Sequence, residues 1–272
     1  MPGYGFGYSA LVRKSASSAA PPSPYGALTT AWIAATGETD TTILGALNTL
    51  ESDLTTYGLT AKMKALYPFC GGTSTKHKFN FMDARDLDAA FRLVFNGGWT
   101  HSSTGSKPNG TNGYATTGIY ANNFTADSQH MSNYSRQITN TGGTEIGFIS
   151  YDSPNKFNYI MFQHPTSNVY AAIQSSDSLM DSTNDAGYGL IISNRRDNTN
   201  IQRYYRNTKT EIVNVGNGLG TKQIYLSAID GANTFGTCEI AFGTVGDGLT
   251  DTEASNFYTA VQTFQTTLSR QV

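Results

Sequence analysis

The sequence contains little charge and almost no cysteine. Charged residues make up 14% of the 272 residues, and 18 Lys and Arg against 20 Asp and Glu leave a net charge of -2. A protein that binds nucleic acid needs a basic surface to neutralise phosphates, so none is predicted as a partner. No apolar run approaches the roughly 20 residues of a membrane span. The N-terminus also lacks a basic stretch followed by an apolar core, so neither membrane insertion nor a secretory signal peptide is predicted.

The two cysteines and four histidines show no metal-binding pattern. Cys70 and Cys238 are far apart, and no histidine stands at a spacing typical of zinc sites. Two interpretations of the cysteines stay open. They are buried free thiols, or they form a disulfide if the two ends of the domain meet. No cofactor is predicted.

Small polar residues take the place of the missing charge. Ser, Thr and Asn together make up about 30% of the chain, which also contains 28 Gly, 16 Tyr and 14 Phe. This composition favours a mainly β protein, and it suits extracellular or virion binding modules better than metabolic enzymes. The length allows one large domain and an accessory segment.

The first 26 residues form a separate segment. Gly and aromatic residues alternate in residues 3–8, and residues 15–24 are Ser, Ala and Pro. Such stretches cannot bury a core and act as extended linkers. The segment is either a flexible tail or an anchor peptide whose aromatic side chains, on one face of an extended strand, dock on a partner protein. Those aromatic residues are Tyr4, Phe6 and Tyr8.

Residues 28–68 are predicted to form a helical adaptor. A short helix over residues 29–36 precedes a second helix, which Thr39 or Asp40 begins and which carries an apolar stripe. A third, short helix is predicted over residues 61–66. The stripe packs either on the domain that follows or on copies of itself, and we favour the first. Its members are Ile43, Leu47, Leu50 and Leu54.

Residues 69–272 are predicted to form an antiparallel β-sandwich, or jelly roll. Short aromatic and β-branched segments recur about every ten residues with Gly-rich turns between them, a pattern typical of sandwiches. The predicted strands cover residues 90–95, 113–117, 130–136, 144–149, 159–164, 168–173, 188–193, 201–206, 209–213, 222–228 and 238–243.

A C-terminal amphipathic helix is predicted over residues 250–269. Thr250 and Glu253 have the spacing of a capping box. Apolar residues follow at helical spacing, so the helix must lay this stripe on the sandwich. They are Ala254, Phe257, Val261, Phe264 and Leu268.

Residues 69–272 resemble the concanavalin A-like, laminin-G-like sandwich domains. The resemblance is carried by residues 147–149 after a strand that ends at Arg136, and by four later segments. Those segments are residues 204–209, 224–228, 240–243 and 249–254. The resemblance implies a concanavalin A-like antiparallel sandwich.

The chain is also similar to a group of tailed-bacteriophage virion proteins over most of residues 28–272. The shared segments are residues 86–93, 97–105, 108–115 and 247–254. This resemblance implies a virion structural protein of the fibre, spike or decoration type, located in the virion. It implies other virion proteins, copies of the chain in a homo-oligomer and a host-surface glycan as partners. The resemblance is specific for fold and much less so for function.

No catalytic motif is present, and a non-enzymatic protein is predicted. Glycosidases of the concanavalin-like class need clustered carboxylates. Here each glutamate of the β region stands alone, and there is no G-x-S-x-G elbow, P-loop or H-E-x-x-H. These glutamates are Glu145, Glu211, Glu239 and Glu253.

The strongest candidate for ligand binding is a predicted loop over residues 97–103. Trp99 is placed to stack on a sugar ring, and His101 to hydrogen-bond a hydroxyl. The alternative is that Trp99 belongs to the core and His101 caps a turn. Asn109 and Asn112 begin Asn-Gly pairs, which are typical of tight turns and secondary candidates for ligand contact.

Other polar segments are weaker candidates. Residues 181–185 offer oxygen ligands suitable for Ca²⁺, with a plain polar loop as the alternative. The basic residues at 76–78 and 195–196 are predicted to be solvated loop charge. Three functions stay open: a virion structural protein, which we favour, a lectin-like carbohydrate-binding module, and a polysaccharide-degrading enzyme.

Overall fold

The fold consists of two antiparallel β-sheets that pack face to face, with helices on the far side of one of them. The computed structural model describes residues 1–3, 23–137, 144–152, 156–163, 168–176, 179–181, 188–229 and 233–272. The helices are α1 (Ala27–Thr36), α2 (Thr41–Thr56), α3 (Ser74–His77) and α4 (Asp251–Thr267), with 3₁₀ turns at Thr60–Lys62, Asp88–Ala90 and Ala121–Asn123.

The larger sheet has eight strands. They are β1 (Met63–Tyr67), β3 (Trp99–Ser102), β4 (Gly105–Pro108), β6 (Gln129–Gln137), β11 (Gly189–Arg195), β12 (Asn200–Tyr205), β13 (Thr208–Val213) and β17 (Glu239–Gly246). Their order is β13-β12-β11-β6-β17-β4-β3, and β1 pairs with the C-terminal half of β17.

The second sheet has seven strands in the order β10-β9-β8-β7-β14-β5-β2. Its strands are β2 (Val94–Asn96), β5 (Tyr114–Tyr120), β7 (Thr144–Asp152), β8 (Lys156–Gln163), β9 (Asn168–Ser175), β10 (Leu179–Asp181) and β14 (Gln223–Leu226). Two short strands, β15 (Ala228–Ile229) and β16 (Asn233–Phe235), pair with each other.

Two apolar cores hold these layers together. The core between the sheets includes Met131, Phe148, Ile160, Ile191, Ile224 and Val245. The core between the eight-stranded sheet and the helices includes Trp32, Leu47, Leu50, Phe242, Phe257 and Phe264. Each fully buried side chain of this size contributes about 1.5–3 kcal/mol, so the helices are part of the fold.

The predicted sandwich and C-terminal helix are confirmed. Thr250 Oγ1 accepts a hydrogen bond from the Glu253 N–H at 3.2 Å, and the Glu253 carboxylate accepts from the Thr250 N–H at 2.7 Å, which completes the capping box. The first two helices are also confirmed, and Asp40 caps the second through the Thr42 and Ile43 amides. The apolar stripe of α2 packs on α4 of the same chain, which agrees with the favoured alternative that it packs on the domain that follows.

Three local predictions are wrong. The helix expected over residues 61–66 is instead a 3₁₀ turn followed by strand β1, because pairing with β17 outweighs the local helix propensity. Within the strand expected over residues 90–95, only Val94 and Phe95 are extended as β2. The loop expected over residues 97–103 contains strand β3.

Cys70 and Cys238 are both buried and form no disulfide, so the disulfide alternative is wrong. Among the described residues, no helix is long and apolar enough to cross a membrane.

Candidate functional site

The seven-stranded sheet turns one face toward the eight-stranded sheet and the other face away from it. Phe148 of β7 and Ile160 of β8 point into the core between the sheets. Because successive side chains of a strand alternate between faces, their neighbours Ile149 and Tyr159 lie on the opposite side. We call this side the outer face.

Six side chains on this side line a groove of about 240 Å³, which we call the aromatic groove. They are Ile149, Tyr151, Phe157, Tyr159, Met161 and Ile229. The strand register brings them together, since Tyr151 stands opposite Phe157 and Ile149 opposite Tyr159. Cross-strand pairs of this kind have their Cβ atoms about 5 Å apart. The β7–β8 hairpin thus supplies five of the six side chains, and Ile229, distant in sequence, completes the surface.

The rings of the aromatic groove are arranged at different angles. Tyr151 and Phe157 stack with centroids 5.0 Å apart and planes 24° apart. Phe157 meets Tyr159 edge to face at 5.9 Å and 74°. All three rings are half-buried, and their residues stand on strands, so their positions are set by the sheet.

The described lining of the groove is amphipathic and uncharged. Its six residues carry no carboxylate, imidazole, amine or guanidinium, and their polar side-chain groups are two tyrosine hydroxyls. A surface of this composition binds a flat apolar face and hydrogen-bonds a polar edge. It has no paired carboxylates for acid-base chemistry.

A second group of aromatic residues continues the outer face toward β5. Tyr225 of β14 stands opposite both Ile149 of β7 and Thr116 of β5. The Tyr114 ring lies 6.1 Å from that of Tyr225 and 6.4 Å from that of Phe235. The aromatic surface therefore spans four adjacent strands, from β8 to β5.

The predicted site residue Trp99 lies on the edge strand β3, in the other sheet. Its indole Nε1 donates to the carbonyls of Asn96 and Tyr114, at 3.0 and 3.2 Å. The ring packs edge to face on Phe95 at 5.0 Å and borders the core between the sheets. Trp99 thus has a structural role on this edge, and its binding of a sugar stays a prediction.

His101, the second predicted site residue, belongs to a hydrogen-bonded cluster with His77 and Ser106. His77 Nδ1 lies 2.6 Å from Ser106 Oγ and 3.1 Å from His101 Nδ1, and His101 Nδ1 lies 3.0 Å from Ser106 Oγ. The Gly72 N–H donates to His77 Nε2 at 3.2 Å, so the proton of neutral His77 is on Nδ1.

The histidine cluster is neutral at pH 7. Burial lowers the pKa of His77 to about 3, and the neighbouring His101 and Arg270 add to the shift. Burial also lowers the pKa of His101. Ser106 is fully buried, so its hydroxyl is not accessible as a nucleophile. The cluster joins α3 to the hairpin of β3 and β4.

Asn109 and Asn112 hold the loop in which they lie. Asn109 Oδ1 accepts from the N–H groups of Thr111, Asn112 and Gly113, each at 3.0 Å. Asn112 Oδ1 accepts from Asn109 Nδ2 at 2.8 Å and from the Gly98 N–H at 2.9 Å. The predicted turn-forming role is therefore visible, whereas ligand contact stays a prediction.

The remaining candidates divide into two groups. The predicted anchor residues Tyr4, Phe6 and Tyr8 lie outside the described residues, as does most of the Ca²⁺ candidate, residues 182–185. The predicted solvation of Arg195 and His77 is wrong, because both are buried. Arg195 instead donates to the carbonyls of Ile173, Asp197 and Asn214. The described residues contain no cluster of three or more metal-ligating side chains.

Sequence reasoning missed the aromatic groove as a site. Phe157, Tyr159 and Met161 alternate along β8, of which the sequence predicts residues 159–163 as extended, but alternation alone does not say which face is left open. The partners of these residues on β7 and β15 follow only from the register.

No protein-family model and no curated protein matches the chain. Solved structures do match it. The Trypanosoma rangeli sialidase in complex with sialic acid is similar over 71% of this chain and 32% of its own, with a TM-score of 0.51 and 9% identity. Another structure of that sialidase has a TM-score of 0.50 and 8% identity, over 79% of this chain and 38% of its own.

A domain of an extracellular arabinanase from Geobacillus stearothermophilus, in complex with arabinotriose, matches 72% of this chain and 98% of its own. Its TM-score is 0.48 and its identity 14%. The chain spans only about a third of the sialidase's length. At these identities the likeness shows the fold alone, an antiparallel β-sandwich. None of these structures is a bacteriophage protein.

Proposed function

We propose that this chain is a non-enzymatic carbohydrate-binding protein that takes its ligand on the outer face of the seven-stranded sheet. The observation that carries the proposal is the aromatic groove, where half-buried rings from β7 and β8 form one surface whose described lining residues are uncharged. A sugar ring has apolar C–H faces and a polar rim of hydroxyls. It therefore matches a site in which aromatic faces and tyrosine hydroxyls alternate.

The composition of the groove also supports binding rather than catalysis. In most glycosidase families, hydrolysis uses two carboxyl groups that flank the scissile bond. The six residues that line the groove include none. A ligand held there meets stacking surfaces and hydroxyl groups, which bind and orient it.

The proposal has a second part, which rests on the sequence resemblance to bacteriophage virion proteins. In it, the chain is displayed on a virus particle as a fibre, tail-tip or capsid component. Residues 1–26 anchor it to other virion proteins, and the sandwich attaches to a host-surface glycan. Several copies in one particle would give avidity to weak individual contacts.

The first experiment measures the binding of the purified full chain to soluble polysaccharides by affinity electrophoresis. The probes are an arabinan, a xylan, a β-glucan, a galactan and a mannan, with polygalacturonan as an acidic probe. The chain is expected to be retarded by at least one of them. Retardation by none, at millimolar sugar concentrations, would refute carbohydrate binding.

The site is then located with three variants. Tyr159→Ala should weaken binding by about fivefold to thirtyfold, since one lost aromatic contact is worth about 1 to 2 kcal/mol. Tyr57→Ala is the matched control, because Tyr57 packs against the core on the helix side. Trp99→Ala tests the site predicted from sequence. If it alone abolishes binding without lowering the melting temperature, the site lies on β3 and not in the groove.

The virion part is tested with gold-labelled antibody against residues 69–272 on particles of the phage that encodes the chain. Label at the tail would agree with host attachment, and label over the capsid with decoration. Unlabelled particles, in preparations where the antibody recognises the free chain, would refute this part and leave carbohydrate binding intact.

A further inference from the structure

We propose that the ligand of the outer face is a neutral sugar chain that crosses the strands, and that its far end occupies a second, polar cleft between β2, β5 and β14. This inference rests on the proposed carbohydrate binding. It adds a second subsite, which we call the polar cleft, and it predicts that the ligand is a neutral oligosaccharide long enough to reach both sites.

The polar cleft has a volume of about 260 Å³. Its lining includes Asp88, Arg92, Thr116, Gly118, Tyr120 and Gln223. Gly118 has a φ of +69°, and a Cβ there would lie 3.2 Å from the Asp88 carbonyl oxygen, so glycine allows β5 to approach the Asp88 turn closely.

Strand register places this cleft on the same side as the aromatic groove. Ala115 and Leu226 stand opposite each other and point into the core between the sheets. Their neighbours Thr116 and Tyr225, also a pair, therefore face outward. Tyr225 in turn stands opposite Ile149 of the aromatic groove. One continuous surface thus joins the two sites.

The separation of the two sites requires a chain as the ligand. From Thr116 on β5 the row of paired residues crosses β14 and β7 to reach Tyr159 on β8, which is three strand steps. At about 4.8 Å per step the row spans roughly 14 Å. A single sugar ring is much shorter, so one ring fills one site and only an oligosaccharide reaches both.

The polar cleft offers hydrogen-bonding groups in fixed positions. The Arg92 guanidinium donates to Asp86 at 2.7 Å and to Asp88 at 3.0 Å, which holds it in place. Within the described part of the chain, the Thr116 hydroxyl and the Gln223 amide make no side-chain hydrogen bond, so both are available to sugar hydroxyls. Neither has its polar atoms fully buried, so water satisfies them when no ligand is bound.

The charges around the cleft balance. Lys78 and Arg92 supply two positive charges, and Asp86 and Asp88 supply two negative ones, in one connected ion-pair network. The six described residues that line the aromatic groove carry no charge. The described parts of the combined surface therefore favour a neutral sugar chain over a uronic or sialic acid polymer.

The test uses an oligosaccharide ladder, from disaccharide to hexasaccharide, cut from the polysaccharide that retards the full chain. Affinity measured by calorimetry should rise with length until both sites are filled. Gln223→Ala should weaken binding of the hexasaccharide about fivefold, the loss of one hydrogen bond, and leave the disaccharide unchanged. Tyr159→Ala should weaken both. Gln271→Ala, at an exposed position near the C-terminus, is the matched control.

The outcomes separate this inference from the function on which it rests. If affinity does not depend on length, or if Gln223→Ala leaves the hexasaccharide unchanged, the polar cleft is not a subsite although the groove still binds sugar. If polygalacturonan binds more tightly than every neutral polysaccharide, the charge argument is wrong. If no polysaccharide binds, both the inference and the proposed function fail.

Discussion

Replacing Arg270 is predicted to destabilise the fold strongly. The side chain is 1% exposed and lies near the C-terminus, below α4. Its guanidinium donates to the carbonyls of Phe69, Pro68 and Ala241 at 2.8, 3.1 and 3.1 Å, and to Gln265 Oε1 at 2.9 Å. Burial lowers its pKa to about 10, so it is charged at pH 7.

The loss in the free energy of unfolding can be worked out from the hydrogen-bond acceptors that lose their donor. Arg270→Met keeps much of the aliphatic volume but removes every donor, so four acceptor groups lose a partner in a buried place. The Ala241 carbonyl still accepts from Gln265 Nε2 at 3.4 Å, which leaves three acceptors without a partner. Each orphaned acceptor costs about 1 to 3 kcal/mol, and the low end gives about 3 kcal/mol in all. A domain of ordinary stability has 5–15 kcal/mol to lose. Because this arginine joins β17, α4 and the chain after β1, the loss affects the whole fold.

Urea unfolding of the full chain, followed by tryptophan fluorescence, measures this cost. Arg270→Lys keeps the charge and some donors and should lie between the wild type and Arg270→Met. Arg85→Met is the control, because Arg85 is exposed and pairs only with Asp83 among the described residues; little change is expected there. A loss below about 1 kcal/mol in Arg270→Met would refute the assignment of these four hydrogen bonds as stabilising.

Two further predictions concern buried titratable groups. Burial lowers the pKa of His77 to about 3 and that of His130 to about 4, below the ordinary 6.5, so the unfolded chain binds more protons across this range. Stability should therefore fall as the pH is lowered from about 6.5 toward 3. The melting temperature of His77→Gln should fall less steeply than that of the wild type over this range, and equal slopes would contradict the prediction. Burial raises the pKa of Cys70 to about 12, and Cys238 is buried as well. A thiol reagent should label neither cysteine in the folded chain and both after unfolding without reductant, whereas unlabelled unfolded chain would indicate a disulfide.

The elements that sequence analysis predicted well are those specified by local contacts. The capping box at Thr250 and Glu253, the cap at Asp40 and the stripe of α2 each depend on residues within a few turns of one helix. Their hydrogen bonds and packing faces follow from helical spacing alone. The strands of the sandwich were located in the same way, from β-branched and aromatic segments between turns.

The elements that it missed depend on partners far away in sequence. Residues 63–67 have the composition of a helix, yet Tyr67 pairs with Gly243 and Leu66 with Thr244. The sequence places Trp99 in a binding loop, whereas pairing of Trp99 with Pro108 makes it part of a strand. Local propensities for helix or strand differ by only about 1 kcal/mol per residue. Pairing with a neighbouring strand therefore determines the secondary structure of these residues.

The packing of the layers explains why the aromatic groove could not be predicted from the sequence. Within the described part of the chain, the eight-stranded sheet is covered on one face by α1, α2 and α4, and on the other by the seven-stranded sheet. Its aromatic residues Tyr134, Tyr204 and Phe242 are consequently core residues. Among the described residues, a packed layer covers only one face of the seven-stranded sheet, so Tyr151 and Tyr159, identical in type to those core tyrosines, remain half exposed. What separates a tyrosine that packs from one that can bind is the layer in which its strand lies, and that layer is decided by tertiary contacts. The proposed site is therefore a property of the topology. Tyr159→Ala tests the groove that the packing of the two sheets leaves exposed, and Trp99→Ala tests the site predicted from the sequence of residues 97–103.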